Sequence, residues 1–80
     1  MEIRFTQAAR RHRIGRASAR YVMATTNPTE VTTVQGNAGW SYVGRDERDR
    51  QLEIIAVEVA PKEGEAYLLV IHVMPTHLRR

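Results

Sequence analysis

A chain of 80 residues without cysteine has to be held together by packing, since it can form neither disulfides nor thiolate metal sites. A chain of this length buries only about 60% of the surface that its unfolded form exposes. That leaves room for one hydrophobic core. We therefore expect residues 1–80 to form a single domain whose elements all share that core.

The N-terminal part of the sequence predicts a strand and two short helices. Residues 3–5 alternate as a short strand does, and Thr6 offers a capping side chain for a helix beginning near residue 7. Gly15 favours a break and a second start. The second helix has an apolar stripe of Ala19, Val22 and Met23 and ends at Pro28.

The rest of the sequence predicts antiparallel strands. They span residues 31–34, 40–43, 52–59 and 66–74, joined by a turn at 36–39, a polar loop at 45–49 and a turn at 61–64. The predicted fold class is α+β. An N-terminal strand and short helices pack on one face of an antiparallel β-meander.

If residues 61–64 form a four-residue turn, Ala60 lies opposite Glu65. Counting back along the two antiparallel strands from this pair places Glu53 opposite His72. On one face, Leu52, Ile54 and Ala56 then lie opposite Val73, Ile71 and Leu69. On the other face, Ser41, Glu53 and His72 form a row across three strands, beside Ile55, Val57, Leu68 and Val70. Such an apolar patch is expected to be covered by a partner protein or by a second copy.

The Glu53 and His72 pair has two interpretations, a catalytic pair or an ordinary cross-strand pair that satisfies two polar groups. A serine triad is disfavoured because Glu53 lies between Ser41 and His72, and there is no Gly-x-Ser-x-Gly motif. His72 and His77 straddle Pro75 without a further ligand at convincing spacing, so neither a metal nor another cofactor is predicted.

The formal charge of +3 is concentrated in one segment, which contains Arg10, Arg11, Arg13, Arg16 and Arg20. Arginine is always charged and can bind phosphate through two donors at once, which favours a surface that contacts nucleic acid. A solvated helix face explains the same residues equally well. The first five residues lack the apolar core of a signal peptide and no apolar run approaches a bilayer span, so we expect a cytoplasmic protein that does not enter membranes.

The order of elements, with the His12-x-Ile14-Gly15 stretch, the Asn27-Pro28 turn, the antiparallel strands and the basic end, resembles BrnT-like toxins of the RelE/ParE-type class. Toxins of that class belong to bacterial toxin–antitoxin systems. Their fold is a compact α+β domain, and the resemblance spans nearly the whole chain. This sequence departs from the RelE pattern because it lacks a lysine pair and a long C-terminal helix.

The resemblance implies a toxin that cleaves RNA without a metal, stops translation and growth, and is neutralised by an antitoxin. Its expected substrate is mRNA, with or without the ribosome. Metal-free cleavage needs a base, an acid and fixed cations around the phosphate. The catalytic candidates are His72 and Glu53, with His12 and His77 as reserves for the second proton transfer, and the RNA-binding candidates are Arg10, Arg11, Arg13, Arg79 and Arg80.

Two alternatives stay open. In the first, the chain is a toxin of the same fold without nuclease activity that acts on a protein target such as a topoisomerase. In the second, it is a non-catalytic RNA-binding module. In the latter, the arginines contact phosphate and the Glu53 and His72 pair is structural. Salt-dependent binding without turnover is its signature.

Overall fold

The computed structural model describes residues 2–33 and 36–78, which form one α-helix and a five-stranded mixed sheet. The strands are β1 (Glu2–Phe5), β2 (Thr29–Thr32), β3 (Ala38–Arg45), β4 (Gln51–Val59) and β5 (Tyr67–Pro75). The helix α1 spans Arg16–Thr25, and short 3-10 helices span Ala8–Arg10 and Thr76–Leu78. The strand order across the sheet is β1-β5-β4-β3-β2. The protein is therefore an α+β fold, as predicted.

Strand β1 is part of the sheet, whereas the sequence predicted an N-terminal strand packed on one face of the sheet. It runs parallel to β5 at the edge, with Glu2 beside Tyr67 and Phe5 beside Val70. All other strand pairs are antiparallel, so the sheet is mixed and the expected meander covers only β2 to β5. The physical reason is that the backbone groups of β5 on that side need partners, and β1 supplies them.

Only the second of the two predicted helices is a full α-helix. Thr6 does act as a cap, since its Oγ1 accepts a hydrogen bond from the Ala9 backbone N–H at 3.2 Å. The segment then makes a single 3-10 turn, and Arg13 adopts the left-handed conformation with a φ of 58°. Because Ala9 and Ile14 are both anchored in the core, the chain has to turn between them. Helix α1 starts after Gly15, as predicted.

The core lies between α1 and one face of the sheet. Its largest fully buried side chains are Val22 from the helix and Leu52, Ile54, Val70 and Val73 from β4 and β5. Burying a side chain of this size stabilises the fold by roughly 1.5–3 kcal/mol. Gly44 of β3 permits the helix to approach closely, because a Cβ at that position would collide with the methyl group of Thr26.

The register between β4 and β5 differs from the predicted one in two places. The connection spans residues 60–66 instead of a four-residue turn, so Val59 pairs with Tyr67. A β-bulge between Ile55 and Ala56 then leaves Ile71 as an extra residue on β5. Each change shifts the pairing by one residue, and together they shift it by two.

The first shift reverses the faces of several β5 residues. Val70 is fully buried on the side of the sheet where the 3-10 helix Ala8–Arg10 covers β5, and Leu68 lies on the same side opposite Glu58. Leu69 and Ile71 face the other way, where they help to line a groove. The prediction had these four residues on the opposite faces, because side chains alternate along a strand and a slip of one residue exchanges them.

The turn between β3 and β4 was predicted to be solvated, which is wrong for Asp46. Its side chain is 0% exposed and forms an ion pair with Arg50 at 2.7 Å. It also accepts hydrogen bonds from the backbone N–H groups of Arg48 and Arg50, each at 2.9 Å. Burial alone would raise the pKa of Asp46, but the hydrogen bonds from Arg50 and Arg48 outweigh it and lower that pKa. The buried carboxylate therefore organises the turn.

Candidate functional site

The face of the sheet opposite α1, here called the open face, carries a second set of apolar side chains. Ile55 and Val57 of β4 and Leu69 and Ile71 of β5 lie there, each partly exposed. The sequence predicted Ile55 and Val57 in this position, but it predicted Leu68 and Val70 beside them. The patch exists, with Leu69 and Ile71 as its β5 members.

A groove of about 720 Å³ crosses this patch. It is lined by Val31, Thr32, Thr33, Asn37, Ile55, Val57, Leu69, Ile71 and His72. The β2–β3 hairpin forms one wall, where the Thr33 N–H donates to the Asn37 carbonyl at 2.8 Å and the Asn37 N–H donates to Thr33 Oγ1 at 3.1 Å. A mostly apolar groove with a few polar groups at its rim is typical of a ligand site.

His72 and Glu53 meet on the open face beside this groove. Their Nε2 and Oε1 atoms are 3.2 Å apart, and the side chains are 32% and 14% exposed. Because a carboxylate only accepts hydrogen bonds, Nε2 carries the proton and Nδ1 is left unprotonated in the neutral ring. The structure thus places the two leading catalytic candidates in contact.

The predicted row of three polar residues has a different geometry. His72 is directly opposite Ile55, and Glu53 is opposite Met74, so the Glu53 and His72 contact is diagonal. Ser41 is opposite Ile55 on the other side. The apolar Ile55 therefore separates Ser41 from His72, which leaves no serine, histidine and carboxylate chain at this point.

A second, smaller pocket, here called the Arg50 pocket, lies where β4 begins and β5 ends. Its volume is about 230 Å³, and it is lined by Arg50, Gln51, Pro75, Thr76 and His77. The Thr76 hydroxyl donates to Gln51 Oε1 at 3.0 Å, which ties the two strands together there. Sequence reasoning chose His77 but missed Arg50, since a run of mixed charges gave no sign that one arginine is oriented by a buried aspartate.

An ion pair flanks the open face at the β1 edge. Arg4 contacts Glu2 at 2.9 Å and lies 4.0 Å from the centre of the Tyr67 ring. The hydrogen bond from Arg4 lowers the pKa of Glu2. Arg4 is also the β1 neighbour of Leu69, so this cation lies next to one side of the groove. No feature of the sequence pattern had indicated this contact.

The predicted arginine segment lies on the other side of the sheet. Arg10, Arg11, Arg13, Arg16 and Arg20 are all exposed. They belong to a stretch whose Ala9, Ile14 and Ala19 are buried in the core under the helix-covered face. His12 lies in the same stretch and is only partly exposed. The structure therefore does not bring these groups together with His72.

The two C-terminal arginines, Arg79 and Arg80, lie outside the described residues. Within residues 2–33 and 36–78, there is no group of three or more His, Cys, Asp or Glu side chains placed to hold a metal ion. The described part of the chain also contains no helix with the length and apolar character needed to span a bilayer. The His72 and Glu53 pair with the groove is thus the best-defined chemical constellation in the described residues.

Comparison with protein-family models, with curated proteins and with solved structures finds no match to this chain.

Proposed function

We propose that this chain is the toxin of a bacterial type II toxin–antitoxin pair and acts as a metal-independent ribonuclease in the cytoplasm. The observation that carries the proposal is the contact of His72 with Glu53 at 3.2 Å, at the side of a groove on the open face. The α+β fold and the net charge of +3 agree with the resemblance to RelE- and BrnT-like toxins. The partners of such a protein are RNA and an antitoxin that covers its apolar surface.

The proposed reaction is a transfer within the RNA backbone. His72 Nδ1 takes the proton of a 2′-hydroxyl, whose oxygen attacks the adjacent phosphorus while the bond to the 5′-oxygen breaks. Glu53 holds the ring through Nε2 and stabilises the imidazolium that forms. The leaving 5′-oxygen takes a proton from water, since His77 lies in the Arg50 pocket. The products carry a 2′,3′-cyclic phosphate and a 5′-hydroxyl.

A His72→Gln variant tests this proposal. Glutamine keeps hydrogen-bonding ability and approximate size but cannot take a proton near neutral pH. Cleavage of a labelled RNA by the purified protein should fall by about 10²–10⁴-fold, the usual contribution of a general acid or base. Growth arrest on expression should be lost, and the melting temperature should stay close to that of the wild type.

The same substitution at His12 serves as the comparison, because His12 lies on the stretch that packs on the other side of the sheet. We expect His12→Gln to remain toxic. If His72→Gln is toxic in proportion to its folded fraction while His12→Gln is inactive, the proposed centre is wrong and the reaction takes place among the arginines of residues 10–20.

The position of the arginine segment favours a second candidate, a non-catalytic RNA-binding module. Arg10, Arg11 and Arg13 are exposed on the side of the molecule away from His72. A phosphate-binding surface at that place can hold RNA without delivering it to the His72 and Glu53 pair. Under this hypothesis RNA binds to the purified chain and is released uncut, and His72→Gln changes neither binding nor growth.

A further inference from the structure

We infer that the RNA lies as a single strand along β4, with an unpaired base in the groove and a phosphate in the Arg50 pocket. This inference rests on the proposed function and adds to it a class of substrate and the path that the substrate follows. It also gives His77 a definite position, as a phosphate contact at one end of that path.

The path follows from the alternation of side chains along β4. Gln51 lines the Arg50 pocket, Glu53 holds His72, and Val57 lines the groove. Positions 51, 53 and 57 are separated by two and by four residues, and side chains alternate along a strand, so all three project from the same face of the sheet. At a rise of about 3.4 Å per residue, Glu53 lies about 7 Å and Val57 about 20 Å from Gln51. The His72 and Glu53 pair thus lies at the end of the groove that is nearer to the Arg50 pocket.

The groove has the chemistry that an unpaired base requires. Ile55, Val57, Leu69 and Ile71 supply an apolar surface for the ring, and Asn37 and Thr33 supply an amide and a hydroxyl at the hairpin wall. Apolar and aromatic surfaces hold bases of any sequence by their faces, and polar groups read their edges. A base inside a duplex is stacked and paired, so it cannot enter such a groove.

The Arg50 pocket has the chemistry of a phosphate site. Asp46 fixes the guanidinium of Arg50 through Nε at 2.8 Å and Nη2 at 2.7 Å, which leaves Nη1 outside that ion pair. An arginine held in this way is already oriented for a phosphate oxygen. Because Asp46 offsets much of the charge of Arg50, the neighbouring His77 supplies the second donor, while the Thr76 hydroxyl donates to Gln51 and fixes the wall of the pocket.

The experiment uses the full chain with His72→Gln, so that the RNA is not cut. Binding of a short fluorescent single-stranded RNA, and of the same sequence as a duplex, is followed by anisotropy. Two charge-introducing substitutions are added separately, Val57→Glu in the groove and His77→Glu in the Arg50 pocket. Their matched controls are Val59→Glu, two residues further along the same face, and Ala24→Glu on the exposed surface of α1.

We expect the single strand to bind at least about tenfold more tightly than the duplex, because only an unpaired base can enter the groove and bury its face against the apolar side chains there. Val57→Glu and His77→Glu should each weaken single-strand binding by about tenfold, and each control by less than about threefold. Circular dichroism gives the folded fraction of each variant, so that binding is compared per folded molecule.

Equal binding of duplex and single strand, or equal losses for each variant and its control, would overturn the inference. The proposed function fails separately. If the wild type does not cleave RNA but the binding pattern is as expected, the strand path holds and the nuclease does not. If cleavage depends on His72 while neither substitution changes binding, the nuclease holds and the path is wrong.

Discussion

The two faces of the sheet are both apolar, yet only one of them forms the core. Leu52 and Ile54 of β4 are fully buried under α1, whereas Ile55 and Val57, next to them in the same strand, are partly exposed around the groove. The open face also holds the His72 and Glu53 pair. The apolar residues therefore indicate where the strands are in the sequence. The position of the helix decides which face of the sheet is buried and stabilises the fold.

The largest expected effect tests this difference directly. Leu52→Ala leaves a cavity under the helix and should lower the free energy of unfolding by about 2–5 kcal/mol. Ile55→Ala removes a similar volume from the open face and should cost only about 1 kcal/mol. Urea unfolding of the two variants measures both values. Equal losses would mean that the open face is packed as tightly as the core.

An intermediate effect is expected at Asp46, which belongs to the turn and to neither face. Asp46→Asn keeps an oxygen for the backbone N–H groups of Arg48 and Arg50 but turns an amide nitrogen toward the Arg50 guanidinium, which loses its charged acceptor. This change should cost about 1–3 kcal/mol. The pKa of Asp46 is lowered in the folded chain, so its stabilisation is present above the unfolded value of about 3.9 and is lost as the pH falls through the folded value.

Urea unfolding between pH 7 and pH 2 tests the sign of this effect. The difference in unfolding free energy between the wild type and Asp46→Asn should shrink as the solution becomes more acidic. A difference that stays constant with pH would show that the carboxylate charge does not stabilise the turn.

The smallest effect on stability is expected for the arginine segment. Alanine at Arg10, Arg11 and Arg13 should change the free energy of unfolding by no more than about 0.5 kcal/mol each, because all three are exposed. If these residues contact phosphate, RNA binding by the triple variant weakens and its salt dependence becomes shallower. An unchanged salt slope would assign RNA binding to the open face.

Much of the fold could be predicted from periodicity and from turn residues. The stripe of Ala19, Val22 and Met23 correctly placed α1 on the sheet, and the glycine turn before Trp40 correctly marked a hairpin. The parallel pairing of β1 could not be predicted, since a strand of four residues carries no signal that names its partner. The β-bulge beside Ile55 was equally invisible, because no residue type there requires it.

The contact of Glu53 with His72 was predicted from a wrong register. The longer loop shifted the pairing by one residue and the bulge by one more, so both side chains returned to the same face as diagonal neighbours. Leu69 and Ile71 lie between the loop and the bulge, so the predicted register placed them on the wrong face of the sheet. A register deduced from one loop length is thus reliable only up to the next irregularity, which here is close to the proposed site.

The parallel pairing of β1 with β5 has a consequence for the order of folding. Glu2 pairs with Tyr67, which is synthesised much later than Glu2. Contacts between such distant positions slow folding, because a long loop has to close before they form. During synthesis β1 cannot pair before β5 has left the ribosome. Until then, Ile3 and Phe5 stay exposed to solvent. Strand β5, which carries His72, is therefore added to the sheet after β2, β3 and β4 have been made, and the surface around His72 forms with it.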